Sequence, residues 1–211
     1  MEPKAKPPGG EGGSPGPEGY LPTLEKRLLE DPGDAQAWYH MGFALLGQQR
    51  YGDALRALDK AVALDPKDAS AHHNRAVALW RLGRLEEAAA GFQRVLEMEP
   101  KDNVAMALRA QVLVEMKRPR EALALFQRAA ALSPTYYDAH IGEAEVLLEL
   151  GRPEEALEAA RRATERYPRR ARGWLLRGRA LRGIGRQREA EECMRRAMDS
   201  GDPSGEEAPT R

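Results

Sequence analysis

A pattern of small residues and prolines that recurs every 34 residues constrains this sequence more than any other feature. Within one period, residues 69–102, Gly83 separates two stretches whose apolar residues recur at helical spacing, and Pro100 follows the second. The columns in register are Pro66, Pro100, Pro134 and Pro168; Ala54, Ala88, Ala122, Ala156 and Ala190; Gly42, Ala76, Ala110, Ala144 and Gly178; and Ala61, Val95, Ala129, Ala163 and Ala197. Each period therefore predicts two amphipathic helices that approach closely through small residues, and the chain is predicted to be all-α.

The residues at fixed positions of this period resemble the tetratricopeptide repeat (TPR), with a large residue followed by Leu-Gly, Tyr, Ala, Phe and Pro. The first full period matches at Trp38, Met41, Gly42, Leu45, Ala54, Leu58, Ala61 and Pro66. The fifth period matches at Trp174, Gly178, Leu181, Ala190, Met194 and Ala197, with Pro203 one place late. The resemblance implies a right-handed α-solenoid of five tandem helix pairs, whose first helices line a concave face.

The same spacing predicts the organisation of the chain. Residues 1–19 are rich in proline and glycine and are predicted to be disordered. Residues 20–34 are predicted to form a capping helix, the second helix of a degenerate repeat, with Leu21, Leu24, Leu28 and Leu29 as its apolar stripe. The five repeats are predicted at residues 35–68, 69–102, 103–136, 137–170 and 171–204, and residues 205–211 are predicted to form a second disordered tail.

Composition limits the cellular compartment and the classes of partner that we expect for this chain. The 33 basic residues balance the 33 acidic residues, so the net charge gives no reason to expect nucleic acid as a partner. Cys193 is the only cysteine, which fits a reducing compartment because it cannot form an internal disulfide. No apolar run approaches the ~20 residues that cross a bilayer, and the N-terminus lacks the apolar core of a secretory signal. We therefore predict a cytoplasmic protein with no membrane span.

The residue types needed for catalysis do not occur in catalytic patterns. There is no phosphate-binding glycine loop, no nucleophile elbow and no paired Cys-x-x-Cys. His72 and His73 point about 100° apart on a helix, and His72 and His140 occupy the large-residue position of the repeat, which predicts packing and not metal binding. Cys193 has Arg195 and Arg196 nearby, which would lower its pKa, but a lone helical cysteine is usually structural. We predict that the protein is not an enzyme and uses no cofactor or metal.

The family resemblance implies a partner-binding groove on the first helices. Its predicted lining is apolar and aromatic with a few polar groups: Tyr39, His40, Phe43, His73, Asn74, Val77, Trp80 and Gln111, together with Val104, Ala107, Leu108 and Val114. Such a surface suits a helix or extended segment with apolar anchors, and the amides of Asn74 and Gln111 could bond to its backbone. The alternative interpretation is that Val77, Trp80 and Leu108 pack between neighbouring helices.

The carboxyl-terminal part of the repeats is basic. Residues 151–200 contain 14 arginines and 8 acidic residues. Arg172, Arg179 and Arg182 are predicted to project toward the groove, where arginine suits carboxylate recognition. Alternatively, Asp138 and Glu145, one period earlier, could form inter-repeat ion pairs with two of these arginines.

These observations predict a non-enzymatic adaptor or scaffold that binds a segment of a protein partner in its concave groove. The alternative is a structural assembly subunit that uses the ends of the solenoid or its convex face. Met194 and Met198 lie near the carboxyl end and leave room for self-association. The predicted state is therefore a monomer or an end-to-end dimer.

Overall fold

The computed structural model describes residues 17–200, with side chains from residue 21 onward. Within this range the chain forms eleven α-helices and no β-strand, which confirms the predicted all-α fold class. The helices are α1 (Pro17–Glu30), α2 (Ala35–Gly47), α3 (Tyr51–Leu64), α4 (Ala69–Arg81), α5 (Leu85–Met98), α6 (Asn103–Glu115), α7 (Pro119–Leu132), α8 (Tyr137–Glu149), α9 (Pro153–Arg166), α10 (Ala171–Gly183) and α11 (Gln187–Asp199). The predicted tails lie mostly or wholly outside the described residues.

The chain divides into two compact units, the first ending at Pro66 and the second beginning at Lys67. In the first unit, α2 packs against both α1 and α3. In the second unit, each helix from α4 to α11 packs against the next, and α8 also contacts α6 and α10. Within the second unit, α6, α8 and α10 are the first helices of successive pairs. They are neighbours and together form a shared face.

Helix α1 differs in two details from the predicted capping helix. It begins at Pro17, three residues before the predicted start, since proline lacks only an N–H that the first turn leaves unpaired. Leu24 and Leu28 are buried with Ala37 against α2, whereas Leu29 is 84% exposed. Leu29 cannot share the buried stripe because it is turned about 100° from Leu28 on the helix.

The turn inside each helix pair requires a left-handed backbone at one residue. Glycine supplies it at Gly83, Gly151 and Gly185, with φ of 73°, 70° and 81°. The equivalent residues of the other two pairs are Gln49 and Lys117, with φ of 59° and 58°. A side chain in this conformation is unfavourable because its Cβ crowds the backbone.

Replacing Lys117 by glycine is expected to stabilise the protein. The left-handed conformation no longer carries a Cβ, and after the greater flexibility of glycine in the unfolded chain is subtracted, the gain is roughly 0.5–1 kcal/mol. Urea unfolding followed by circular dichroism measures the change. Lys117→Ala is the matched control, since it removes the side chain and keeps the Cβ; an equal gain in that variant contradicts the backbone explanation.

Candidate functional site

The first helices of the second unit are joined side by side by polar contacts. The indole Nε1 of Trp80 in α4 donates to Glu115 Oε1 in α6 at 2.9 Å. The guanidinium of Arg172 in α10 donates to Glu145 Oε1 in α8 at 2.8 Å. These bonds connect α4 to α6 and α8 to α10, so that residues at helical spacing on each helix contribute to one surface.

We call this surface the first-helix face. Its members recur at spacings of three, four and seven residues, which place them on one side of each helix. They are His73, Val77 and Trp80 on α4; Val104, Gln111 and Val114 on α6; Glu145 and Leu148 on α8; and Arg172, Leu175, Arg179 and Arg182 on α10. All of them are half-buried or exposed.

The α4 part of the face combines an imidazole, an indole and an aliphatic side chain. The His73 ring meets the Phe92 ring edge to face, with centroids 5.6 Å apart. Burial lowers the pKa of His73, although Asp102 and Glu99 oppose this, so the ring is neutral near pH 7. Trp80 carries the guanidinium of Arg81 over its ring at 5.4 Å from the centroid. These contacts hold the two rings in place.

The residues predicted to line the groove differ in their exposure to solvent. Val77, Trp80 and Leu108 are half-buried, so each is packed against a neighbour and still reaches solvent. Ala107, predicted to line the groove, is buried, because α8 covers that side of α6. Sequence spacing could not show that a neighbouring helix covers Ala107.

Two half-buried amides belong to neighbouring first helices. Asn74 lies on α4 beside His73, and Gln111 lies on α6. Neither side chain forms a hydrogen bond with any part of residues 21–200. Each amide therefore retains its donor and acceptor capacity for another molecule.

The α10 part of the face is basic. Arg172, Arg179 and Arg182 are all exposed. Arg172 forms an inter-repeat ion pair, but its partner is Glu145 and not Asp138, the residue one period earlier. The reason is that α10 lies beside α8 with an offset, so residues one period apart are not opposite each other. Arg179 and Arg182 form no ion pair or hydrogen bond within the described part of the chain.

The first unit carries a separate aromatic cluster on α2. The Tyr39 ring centroid lies 5.1 Å from that of His40 and 6.5 Å from that of Phe43. Phe43 is exposed, and Tyr39 and His40 are half-buried. The structure therefore brings together these three predicted residues, within the first unit.

The large-residue position of the repeat has a structural role that its sequence pattern only partly revealed. Trp38 Nε1 donates to Pro32 O at 3.0 Å, and Trp174 Nε1 donates to Pro168 O at 2.7 Å. His140 is buried, as predicted, and its Nε2 lies 3.0 Å from Pro134 O. Because a carbonyl only accepts, Nε2 of His140 donates, and the ring is committed to holding the turn before its helix.

Met106 occupies the same position in the third repeat and has no N–H to donate. There the Pro100 carbonyl instead accepts from Arg128 Nη2 on α7, at 2.9 Å. The bond to the proline carbonyl is thus kept by a different residue, because an unpaired carbonyl in a packed turn is unfavourable.

Cys193 is buried against Trp174 and α10, and burial raises the pKa of its thiol. The charges of Arg177 and Arg196 lower it by a smaller amount. This corrects the expectation of a lowered pKa from Arg195 and Arg196, since both bind Glu192 and desolvation dominates. No group of three or more metal-binding side chains is found in residues 21–200, and no helix in the described range is long and apolar enough to cross a membrane.

The sequence matches known family models at three places. Models of the tetratricopeptide repeat match residues 39–105, 113–180 and 171–200. This chain belongs to the tetratricopeptide-repeat family. A search of the curated proteins for relatives gave no match.

Solved TPR structures share the fold. The structure of YrrB, described as a TPR protein with an unusual peptide-binding site, has 24% identity and a TM-score of 0.71, covering 86% of this chain and 93% of that chain. A MamA structure has 20% identity and a TM-score of 0.72, covering 84% and 98%. MamA from Desulfovibrio magneticus RS-1 has 20% identity and a TM-score of 0.73, covering 82% and 97%. At these identities the similarity establishes the TPR fold alone.

Proposed function

We propose that this TPR protein is a non-enzymatic adaptor that binds a segment of a protein partner on the concave side of its first helices. The observation that carries the proposal is the pair of half-buried amides, Asn74 and Gln111, which have no hydrogen-bond partner within residues 21–200. Asn74 shares α4 with the half-buried apolar side chains of Val77 and Trp80, and Gln111 shares α6 with that of Val114. A polypeptide supplies both of the groups that such a surface lacks: backbone N–H and C=O groups for the amides, and apolar side chains for the rest.

The binding mechanism is passive. Apolar anchors of the partner pack on Val77 and on Trp80, whose indole is held by its contacts to Glu115 and Arg81. Carboxylates of the partner meet Arg179 and Arg182, with Arg172 available if its exposed pair with Glu145 exchanges, since such pairs contribute only ~0.2–1 kcal/mol. On the first unit, Tyr39, His40 and Phe43 form an aromatic surface suited to an apolar part of a partner. YrrB, described as peptide-binding, supports a peptide as the ligand class.

A second function, as a structural assembly subunit, is favoured by two exposed apolar side chains. Leu29 on α1 is 84% exposed and Met198 on α11 is 82% exposed. Both suit end-to-end association or docking within a larger complex. The mass of the protein in solution separates this function from that of a monomeric adaptor.

We place the adaptor in the cytoplasm. The support is its cysteine usage: Cys193 is the only cysteine of the 211 residues and is buried as a free thiol. A reducing compartment suits such a chain.

Replacing both amides by alanine is expected to weaken partner binding. Two lost hydrogen bonds at about 1 kcal/mol each correspond to roughly 30-fold in Kd. The Asn74→Ala/Gln111→Ala variant and the wild type are compared by capture of partners from a lysate with quantitative mass spectrometry, followed by calorimetry on the recovered partner. Gln127→Ala/Gln187→Ala is the matched control, because both glutamines are exposed amides on second helices. Equal binding by both double variants contradicts the proposed site.

A further inference from the structure

The last helix pair exposes apolar residues whose counterparts in the earlier pairs of the second unit are buried or half-buried. On the first helices, Ala107 is 1% exposed and Ile141 is 3% exposed, whereas Leu175 at the same position is 42% exposed. On the second helices, Leu96, Ala130 and Thr164 are buried, whereas Met198 is 82% exposed. In the earlier pairs the following pair covers these positions; Thr164, for example, accepts a hydrogen bond from Arg177 of α10. Leu175 and Met198 thus lie where a further helix would pack.

The polar contacts between neighbouring first helices also have unfilled counterparts at α10. Glu145 binds Arg172 of the next first helix, and Trp80 binds Glu115 of the next first helix. In the same two columns stand Arg179, one repeat unit after Glu145, and Arg182, three repeat units after Trp80. Neither arginine has a partner in the described range of residues. We call the surface formed by Leu175, Arg179, Arg182 and Met198 the open end.

The earlier pairs define what would complete the open end. Glu145 contacts Arg172, the second residue of the next first helix, α10. Trp80 contacts Glu115, the thirteenth residue of the next first helix, α6. The two contacts therefore fall at positions eleven residues apart on the following helix. Eleven residues span about 16 Å, or three helical turns. Because Arg179 and Arg182 are cations, the groups opposite them must be carboxylates, and an apolar stripe between those carboxylates would cover Leu175.

We propose that the open end binds an acidic amphipathic helix of a partner protein, which lies beside α10 as α10 lies beside α8. Two carboxylates of that helix, eleven residues apart, bind Arg179 and Arg182, and its apolar side chains cover Leu175 and Met198. This inference rests on the proposed function in assigning both arginines to a partner, and it does not depend on the amides of Asn74 and Gln111.

Charge decides against a second copy bound through the same end. Two copies facing each other would bring Arg179 and Arg182 close to the same arginines of the other copy, and like charges that are held together are unfavourable. An acidic helix has the complementary charge. The apolar part of the surface is small, so charge determines which helix binds.

A helical probe can be taken from this chain. Helix α8, with the sequence of residues 137–149, carries Asp138 at its second position and Glu149 at its thirteenth, eleven residues apart. As a free peptide it needs a covalent staple, because a helix of this length is marginal in water. The probe is the stapled, fluorescein-labelled peptide, and its reverse-charge version carries Asp138→Lys and Glu149→Lys.

Fluorescence anisotropy is expected to show saturable binding of the acidic probe to the full-length protein and at least tenfold weaker binding of the reverse-charge probe. Arg179→Glu/Arg182→Glu is expected to reverse this preference, because both ion pairs are inverted. Arg120→Glu/Arg188→Glu makes the same charge change at exposed arginines of α7 and α11 and is expected to behave as the wild type. Circular dichroism verifies that both variants fold.

Four outcomes would overturn the proposal. The first is the absence of binding, or equal affinity for both probes. The second is binding that appears only after truncation following Ser200, which assigns the open end to residues 201–211 of the same chain. The third is a doubled mass in solution that Arg179→Glu/Arg182→Glu abolishes, which assigns it to a second copy. The fourth is loss of probe binding in Asn74→Ala/Gln111→Ala, which moves the probe to the amide site and leaves the proposed function standing.

Discussion

Replacing Phe126 by alanine is expected to lower the free energy of unfolding by roughly 3–5 kcal/mol. Phe126 is fully buried on α7, in the core shared with α8, and the cavity left by its ring cannot collapse between two packed helices. Urea unfolding followed by circular dichroism measures the loss. Phe126→Leu retains most of the volume and is expected to lose less than half as much. A loss below about 1 kcal/mol for Phe126→Ala would contradict the packing described here.

The same ring explains why α8 has glycine at residue 142. A Cβ on Gly142 would lie 2.3 Å from Cε1 and Cζ of Phe126. In the wild type, Gly142→Ala is therefore expected to destabilise the protein by about 1–3 kcal/mol, although alanine favours helices. In the Phe126→Ala background the clash is gone, and the same substitution is expected to stabilise it by roughly 0.5–1 kcal/mol. A double-mutant cycle measures this change of sign; additive effects would contradict it.

Replacing Glu143 by alanine is expected to destabilise the protein by about 2 kcal/mol. Its buried carboxylate accepts from Arg162 Nη2 at 2.8 Å, and His140 Nδ1 lies 4.0 Å away. Removing one partner of a buried pair leaves the other uncompensated, which costs about 3–5 kcal/mol, and the partial exposure of Arg162 reduces that loss. Thermal and urea unfolding measure the effect. Glu158→Ala is the control, because its carboxylate is exposed and also pairs with an arginine of α9; an equal loss there would contradict the role of burial.

The pH dependence of stability tests the same carboxylate. Burial alone would raise the pKa of Glu143, but the nearby His140 and the charge and hydrogen bond of Arg162 hold the pKa below its usual range. A folded pKa below the unfolded value of about 4.3 means that the contribution is complete above that value and is lost as pH falls through the folded pKa. In Glu143→Gln the free energy of unfolding is therefore expected to fall less steeply between about pH 5 and pH 3 than in the wild type. An unchanged slope would contradict the lowered pKa.

The structure of each helix pair could be predicted from the sequence because its causes are local. The column of Gly83, Gly151 and Gly185 marks the turns, and the apolar spacing marks the buried sides of the helices. Helix α1 shows the limit of such spacing. Leu24, Leu28 and Leu29 are all apolar, yet only the first two face α2, and one residue of rotation leaves the third in solvent.

The candidate site was only partly predictable. The sequence predicted Val77, Trp80 and Gln111 as groove-lining residues, and all three are half-buried on first helices. It could not show that Trp80 binds Glu115, because that contact joins residues 35 apart on different helices. The only signal in the sequence was that Glu115 follows Trp80 by 35 residues, whereas neither Trp38 nor Trp174 has an acidic residue at that distance.

By itself, the sequence determined that this protein is a series of TPR helix pairs, since the 34-residue period, the small residues and the prolines act through local geometry. Only the tertiary structure decided which neighbours those helices meet. It paired Arg172 with Glu145, buried Glu143 against Arg162, raised the pKa of Cys193 and left Arg179 and Leu175 facing solvent. The physical reason is that helical spacing fixes the direction of a side chain, whereas burial and ion pairing depend on the offset and distance between helices.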